Sequence, residues 1–332
     1  MDNQSRKVNV AILSVFSNTT LVILKLVIGL MAGSVSIISE AIHSGVDLLA
    51  AVIALISVKT SNLPADHKHP YGHGKIENIS GTVEALLIFF AAAWIIYEAI
   101  HKLMHPTALE SLGWGIGVML FSTVANIIVS EMLFKVGRAT DSIALQADAW
   151  HLRTDVYTSA GVMISLVLIR VLAWAMPGKN FFWIDPVAAI CVALLIIKAA
   201  WDLTVQSGRD LLDANLPQNE EYLIREMIYA HRPSVHGYHH LRTRKAGNFR
   251  FVDFHLKVDP HMSVLASHEI TEDLSVHIKG KYPYTSVNIH IEPCDGNCEG
   301  KCLEGCLLTE KERDQLLITQ MPVKKNNPIG TS

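Results

Sequence analysis

Long apolar stretches separated by short polar ones dominate the first two thirds of the chain. A helix requires about 20 residues to cross the hydrocarbon core of a bilayer. Six stretches reach or approach this length, at residues 10–30, 34–58, 83–100, 112–134, 145–172 and 186–203. The pattern therefore predicts an α-helical membrane protein whose six-helix transmembrane domain covers residues 1–208.

Beyond Gly208 the apolar positions follow the shorter periods of a water-soluble domain. Helical patterns cover residues 218–232 and 263–281, and the alternation typical of strands covers residues 238–245, 249–258 and 286–292. The order α-β-β-α-β predicts a small α+β sandwich over residues 209–293. Residues 294–332 form a third, cysteine-rich segment, which we predict to be disordered past Leu308 because it is polar and charged.

Composition agrees with a membrane half joined to a soluble half. The 332 residues are 50% hydrophobic and 18% charged, and the mean hydropathy is +0.29. The net charge of −3 argues against a nucleic-acid partner. The start of the chain lacks the pattern of a signal peptide, so residues 10–30 are interpreted as a first span.

The distribution of basic residues predicts the orientation in the membrane. An even number of spans places both termini on one side. On that side fall Arg6, Lys7, Lys59, Lys68, Lys75, Lys135, Arg138 and Arg209, against Lys102, Arg170 and Lys179 on the other. Basic residues concentrate in cytoplasmic loops, so both termini are predicted to be cytoplasmic in a multi-pass protein of the plasma or inner membrane.

The second and fifth spans repeat the pattern His-x-x-x-Asp, as His43/Asp47 and His151/Asp155. Residues four apart lie on one face of a helix, so each span offers an imidazole and a carboxylate in one direction. Two such faces supply the two nitrogen and two oxygen ligands that suit a tetrahedral Zn²⁺. The alternative is a hydrogen-bond network without a ligand, which the repeated spacing disfavours. Lys25, in the first span, is interpreted either as a structural ion-pair partner or as part of a path for the metal.

Two further groups of histidines have metal-binding potential. Asp66, His69 and His73 lie in a short loop whose glycines and proline allow a tight fold; the alternative is a solvated turn. In the soluble domain, residues that can share the exposed face of the sheet are His239, His255, His268, His290 and Glu292. Solvated surface histidines are the alternative there.

Four cysteines recur at every fourth residue after the last predicted strand: Cys294, Cys298, Cys302 and Cys306. Four thiolates are enough for a zinc or soft-metal site. In a reducing cytoplasm they are expected to be thiols or ligands rather than disulfides. The alternative is a redox-reactive or unstructured tail.

With these residues in view, the sequence resembles the cation diffusion facilitators, which are membrane exporters of divalent metals driven by proton exchange. The resemblance covers residues 9–293. It rests on Gly33-Ser34 with the segment 40–47, on segments 64–66 and 71–75, on segment 148–155, and on Leu241-Arg-Thr-Arg244.

The resemblance implies a six-helix domain and a cytoplasmic metallochaperone-like domain, assembled as a homodimer. It implies a transport site at His43, Asp47, His151 and Asp155, together with metal sites at the loop and soluble-domain residues named above. Histidine at the first position resembles the zinc-preferring branch, with Fe²⁺, Mn²⁺, Co²⁺ or Cd²⁺ as other substrates, and Zn²⁺ is also expected as a regulatory ion. The cysteines of the tail are not part of the family pattern.

Two other functions compete with transport. An intramembrane metallohydrolase needs an open zinc position and a nearby base, whereas four protein ligands would close this site and the chain has no His-Glu-x-x-His. No catalytic residues are therefore predicted. A metal sensor or scaffold of the same fold is the second alternative.

Overall fold

The structure is a computed structural model that describes residues 3–32, 35–104, 113–176, 181, 183–296 and 300–320. The chain divides into two compact units. The first comprises Met1–Leu212 with Ala246–Asn248, and the second comprises Asp213–Lys245 with Phe249–Ser332. The boundary, predicted after residue 208, falls after residue 212 because the sixth helix continues to Leu211.

The first unit is a bundle of long helices. They are α1 (Asn3–Ala32), α2 (Val35–Ser61), α3 (Lys75–Met104), α4 (Gly113–Ala139), α5 (Ile143–Ala175) and α6 (Ile184–Leu211). Within the described part of the chain, these six are long and apolar enough to cross a membrane. Large apolar side chains such as Phe16, Phe90 and Leu195 point outward, as expected for contact with lipid. The prediction of six spans is confirmed.

Small side chains allow the helices to approach each other closely. α3 packs along α6, and Ala85 and Ala92 meet Ile196 and Ala200 in a buried cluster. A Cβ atom at Gly81 of α3 would lie 2.7 Å from side-chain atoms of both Ile143 and Ser207. Close approach at small residues is a common basis of helix packing in membranes.

A buried polar cluster joins several helices at one end of the bundle. Lys7 Nζ donates to Glu77 Oε1 at 2.7 Å, and Ser61 Oγ donates to the same oxygen at 2.9 Å. Ser142, which precedes α5, donates to Glu77 Oε2 at 2.5 Å. The cluster connects α1, α2, α3 and the start of α5. Glu77 was not singled out in the sequence, because its partners lie as many as 70 residues away.

The second unit contains α7 (Gln218–Tyr229), β1 (Val235–Ala246), β2 (Phe249–Val258), α8 (Val264–Lys281) and β3 (Thr285–Pro293). The sheet order is β1-β2-β3, and β2 pairs in parallel with β3 so that His255 lies beside His290. Ile224, Ile228, Leu274 and Ile278 of the helices pack with Val252, Phe254 and Leu256 of β2. The predicted α-β-β-α-β order is confirmed.

The tail has regular structure before Leu308 and departs in part from the prediction of disorder past that residue. It contains α9 (Gly300–Glu304) and α10 (Glu310–Gln320), and Cys306 forms an antiparallel bridge with Gly237. Leu307 N donates to His236 O at 2.9 Å. The free edge of β1 offers unpaired backbone groups, and the tail forms hydrogen bonds with them. Residues 321–332 lie outside the described residues.

Candidate metal sites

Helices α2 and α5 bring ligand atoms of His43, Asp47 and Asp155 within 4.8 Å of one another, while His151 lies outside this group and contacts it through Asp47. His151 Nε2 lies 3.0 Å from Asp47 Oδ1, and His43 Nε2 lies 3.6 Å from Asp155 Oδ1. Ligands about 2.0–2.2 Å from a tetrahedral Zn²⁺ lie roughly 3.3–3.6 Å from one another. Each imidazole therefore faces the carboxylate of the other helix at nearly the spacing that a shared ion requires.

A cavity of about 160 Å³ opens beside this quartet, and His43, Asp47 and Asp155 are among its lining residues. Asp47 and His151 are buried, whereas His43 is exposed. Asn126 of α4 also lines the cavity and donates from Nδ2 to Asp155 Oδ2 at 3.4 Å. An ion in the cavity would thus meet one accessible imidazole before the buried pair.

Lys25 is both paired and close to the site. Its Nζ donates to Ser44 Oγ at 2.8 Å and to Glu40 Oε2 at 3.2 Å, and it lines the same cavity. The ion pair compensates the cost of a charge at membrane depth. Both sequence interpretations of Lys25 therefore have a structural basis.

The loop between α2 and α3 brings its three predicted ligands together. His69 Nδ1 lies 3.3 Å from Asp66 Oδ1, and His73 Nε2 lies 3.6 Å from Asp66 Oδ2. The backbone N–H of His69, assisted by that of Lys68, donates to Asp66 and lowers the pKa of its carboxyl. Gly72, at φ 82°, adopts the left-handed conformation that this turn requires. The carboxylate is thus held ionised beside two imidazoles.

Glu292 is the centre of the histidine group on the sheet. It accepts from His255 Nδ1 at 2.7 Å and from His239 Nε2 at 2.9 Å, while His290 Nε2 lies 3.8 Å away. Burial raises the pKa of Glu292, but hydrogen bonds from Lys257, His255 and His239 outweigh it and lower the pKa to about 2. The carboxylate is therefore ionised throughout the physiological range.

His268 is not brought to this group. It is exposed on α8, whose apolar residues pack against the inner face of the sheet, whereas His255 lies on the outer face. Within the described residues, His268 belongs to none of the groups of three or more converging ligand atoms.

Two residues of this face were missed in the sequence. Lys257 Nζ lies 2.8 Å from Glu292 Oε2 and would compete with a metal for it. The ring of His240 lies 5.0 Å from that of His255. Its φ of 52° breaks the strand alternation, so no period-two pattern predicts its position.

Comparison with known proteins shows the family to which the chain belongs. A family model described as the cation efflux transmembrane domain matches residues 11–212, and one described as the cytoplasmic domain of cation efflux proteins matches residues 216–294. The chain belongs to the cation efflux family. The family assignment makes it an integral membrane transporter of divalent metal cations. It also excludes the metallohydrolase interpretation, because the cation efflux family consists of transporters.

Relatives extend over most of the chain. The cation-efflux pump FieF of Shewanella oneidensis is 31% identical over 84% of this chain and 92% of its own length. An uncharacterized transporter of Synechocystis is 33% identical over 86% of this chain and 90% of its own length. The metal-bound C-terminal domain of the CzcD transporter from Thermotoga maritima is 30% identical, covering 25% of this chain and 100% of that domain, with a TM-score of 0.23.

The cysteines of this cation efflux protein are only partly described. Cys294 is buried, and Cys302 and Cys306 are half-buried, while Cys298 lies outside the described residues. The three described cysteines belong to none of the groups of converging ligand atoms in the described part of the chain. Their role as metal ligands stays a prediction.

Proposed function

We propose that the chain exports Zn²⁺ from the cytoplasm in exchange for protons, with His43, Asp47, His151 and Asp155 as the transport site. The observation that carries the proposal is the crossed pairing of two imidazole nitrogens with two carboxylate oxygens, at 3.0 and 3.6 Å. The two nitrogen and two oxygen atoms suit Zn²⁺. Fe²⁺, Mn²⁺, Co²⁺ and Cd²⁺ are the competing substrates.

The same geometry supports exchange with protons. Without a hydrogen between them, an imidazole nitrogen and a carboxylate oxygen 3.0 Å apart present lone pairs to each other. Either a proton or a metal ion must lie between them, and a histidine must be neutral to bind the metal. Metal entering the quartet therefore displaces a proton from each ring that was charged, and protons returning from the other side release the metal.

The proposal includes a homodimer with both termini in the cytoplasm. It is supported by the match of residues 216–294 to the cytoplasmic domain of cation efflux proteins. Metal bound to His239, His255, His290 and Glu292, with the loop site, would then regulate transport by coupling between sites. Light scattering in detergent with and without Zn²⁺ tests the dimer.

Metal uptake into proteoliposomes with an imposed pH gradient tests the export function. We expect gradient-dependent Zn²⁺ flux that Asp155→Asn and His43→Ala abolish. Asp202→Asn is the matched control, because it removes an exposed carboxylate of α6 that does not line the cavity. Flux of another ion in place of Zn²⁺ would show that the substrate is that ion, and Zn²⁺ flux without a pH gradient would reject antiport. Bound metal with no flux of any ion would favour the sensor or scaffold.

A further inference from the structure

A group of three side chains lies on the helical layer of the second unit, apart from all predicted sites. His231 follows the end of α7, whereas Asp273 and His277 are four residues apart on α8. His231 Nε2 lies 3.0 Å from Asp273 Oδ2, and His277 Nδ1 lies 3.5 Å from Asp273 Oδ1. One ligand atom from each residue lies within 4.8 Å of the other two.

Backbone carbonyl groups determine which nitrogen of each ring carries hydrogen. His231 Nδ1 lies 2.7 Å from Met227 O, and His277 Nδ1 lies 2.8 Å from Asp273 O. A carbonyl oxygen only accepts hydrogen bonds, so Nδ1 of His231 must donate, and its Nε2 carries the lone pair when the ring is neutral. Histidines that bind metals have this arrangement, with the second nitrogen donating to a carbonyl or carboxylate. His277 approaches the backbone carbonyl and the carboxylate of Asp273 with the same nitrogen, so binding a metal through Nδ1 would replace its hydrogen bond to the carbonyl.

The short contact between His231 and Asp273 requires a positive charge. Because Nδ1 of His231 already donates, Nε2 faces the carboxylate with a lone pair unless a proton or a cation lies between them. A proton links only two groups, whereas a metal ion can link all three. The side chains of Asp273 and His277 are 58% and 59% exposed, against 14% for His231. One ligand is thus held in place, and two are accessible from solvent with room for water.

The group is separate from the histidines around Glu292. Leu274 and Ile278 of α8 pack against the inner face of β2, and His255 points to the outer face. A metal at one group therefore leaves the ligands of the other untouched. We propose that His231, Asp273 and His277 bind Zn²⁺ at a site of their own, which fastens the end of α7 to α8.

Zn²⁺ stoichiometry of the purified full-length chain in detergent tests the site. Equilibrium dialysis against Zn²⁺ alone, followed by metal analysis, compares the wild type with His277→Ala and Asp273→Asn. His261→Ala is the matched control, since it removes another exposed histidine of the same unit. We expect the first two variants to lose one Zn²⁺ per chain and the control to lose none. Equal stoichiometry in all four proteins would reject the site.

A second measurement excludes misfolding as the cause. Both substituted side chains are exposed, so metal-free thermal unfolding of the variants should match the wild type. Hydrogen exchange at residues 227–231 should slow on addition of Zn²⁺ in the wild type and in His261→Ala, but not in His277→Ala. Unchanged exchange in the wild type would contradict the fastening of α7 to α8. Neither measurement involves transport, so failure of this site is distinguishable from failure of export.

Discussion

The buried pair of Lys7 and Glu77 allows a quantitative prediction about the stability of the bundle. Their side chains are 2% and 0% exposed, and Nζ lies 2.7 Å from Oε1. Removing one member of a buried pair typically costs about 3–5 kcal/mol, because the other charge stays buried without its partner. We expect Lys7→Met to lower the free energy of unfolding by about 3 kcal/mol, the lower end of that range. Ser61 and Ser142 would still donate to Glu77.

Substitution of the other member of the pair, Glu77, should lower the free energy of unfolding further. Glu77→Gln keeps the size of the side chain but removes the only charge within hydrogen-bond distance of Lys7 that the described contacts show. We expect a loss of about 5 kcal/mol, which is between three and four powers of ten in the equilibrium constant. The double variant should recover much of the loss, since replacing a whole buried pair with neutral side chains is often nearly neutral.

Unfolding of the purified protein in detergent mixtures, followed by circular dichroism, measures these differences. The matched control is the pair of Arg153 and Glu131, with N and O atoms 2.8 Å apart and side chains 21% and 72% exposed. Pairs with an exposed member contribute about 0–1 kcal/mol, so Glu131→Gln, which changes the exposed member and keeps an oxygen that can accept from Arg153, should have little effect. Single variants of Lys7 and Glu77 as stable as Glu131→Gln, or a double variant that simply sums their losses, would refute the reasoning.

Three further substitutions and conditions test other parts of the structure. Gly81→Ala should destabilise the bundle by about 1–3 kcal/mol through overpacking, whereas Gly208→Ala, with no atom within 4 Å of the added Cβ, should be neutral or stabilising in the same unfolding assay. The pKa of Glu292 is lowered from 4.5 to about 2, so its contribution to stability is complete above pH 4.5 and is lost as the pH falls towards 2. The free energy of unfolding, measured from pH 6 to 2, should therefore decline, and Glu292→Gln should reduce this decline. Thr309→Ala should destabilise α10 by about 1 kcal/mol and accelerate its hydrogen exchange, while Thr271→Ala inside α8 should leave α10 unchanged.

The order of elements follows from the sequence, because each signal is local. An apolar run of spanning length must lie in lipid or in a core, and a four-residue spacing places His43 and Asp47 on one helical face wherever the helix lies. Strand alternation likewise places His255 opposite Val252 and Phe254. Even α10 has a local signal, since Thr309 and Glu312 form a capping box, with Thr309 N donating to Glu312 Oε2 at 2.6 Å.

Only the tertiary structure decided which side chains from distant parts of the sequence contact each other. The spacing within α2 and α5 cannot indicate that His151 faces Asp47 while His43 faces Asp155, because that depends on how the two helices are rotated about their axes. The same holds for Lys7 and Glu77, which are 70 residues apart, and for His231 and Asp273, of which the first lies in the turn after α7 and the second in α8. Periodicity determines the face on which a side chain lies, whereas packing of the apolar surfaces determines which other face it meets.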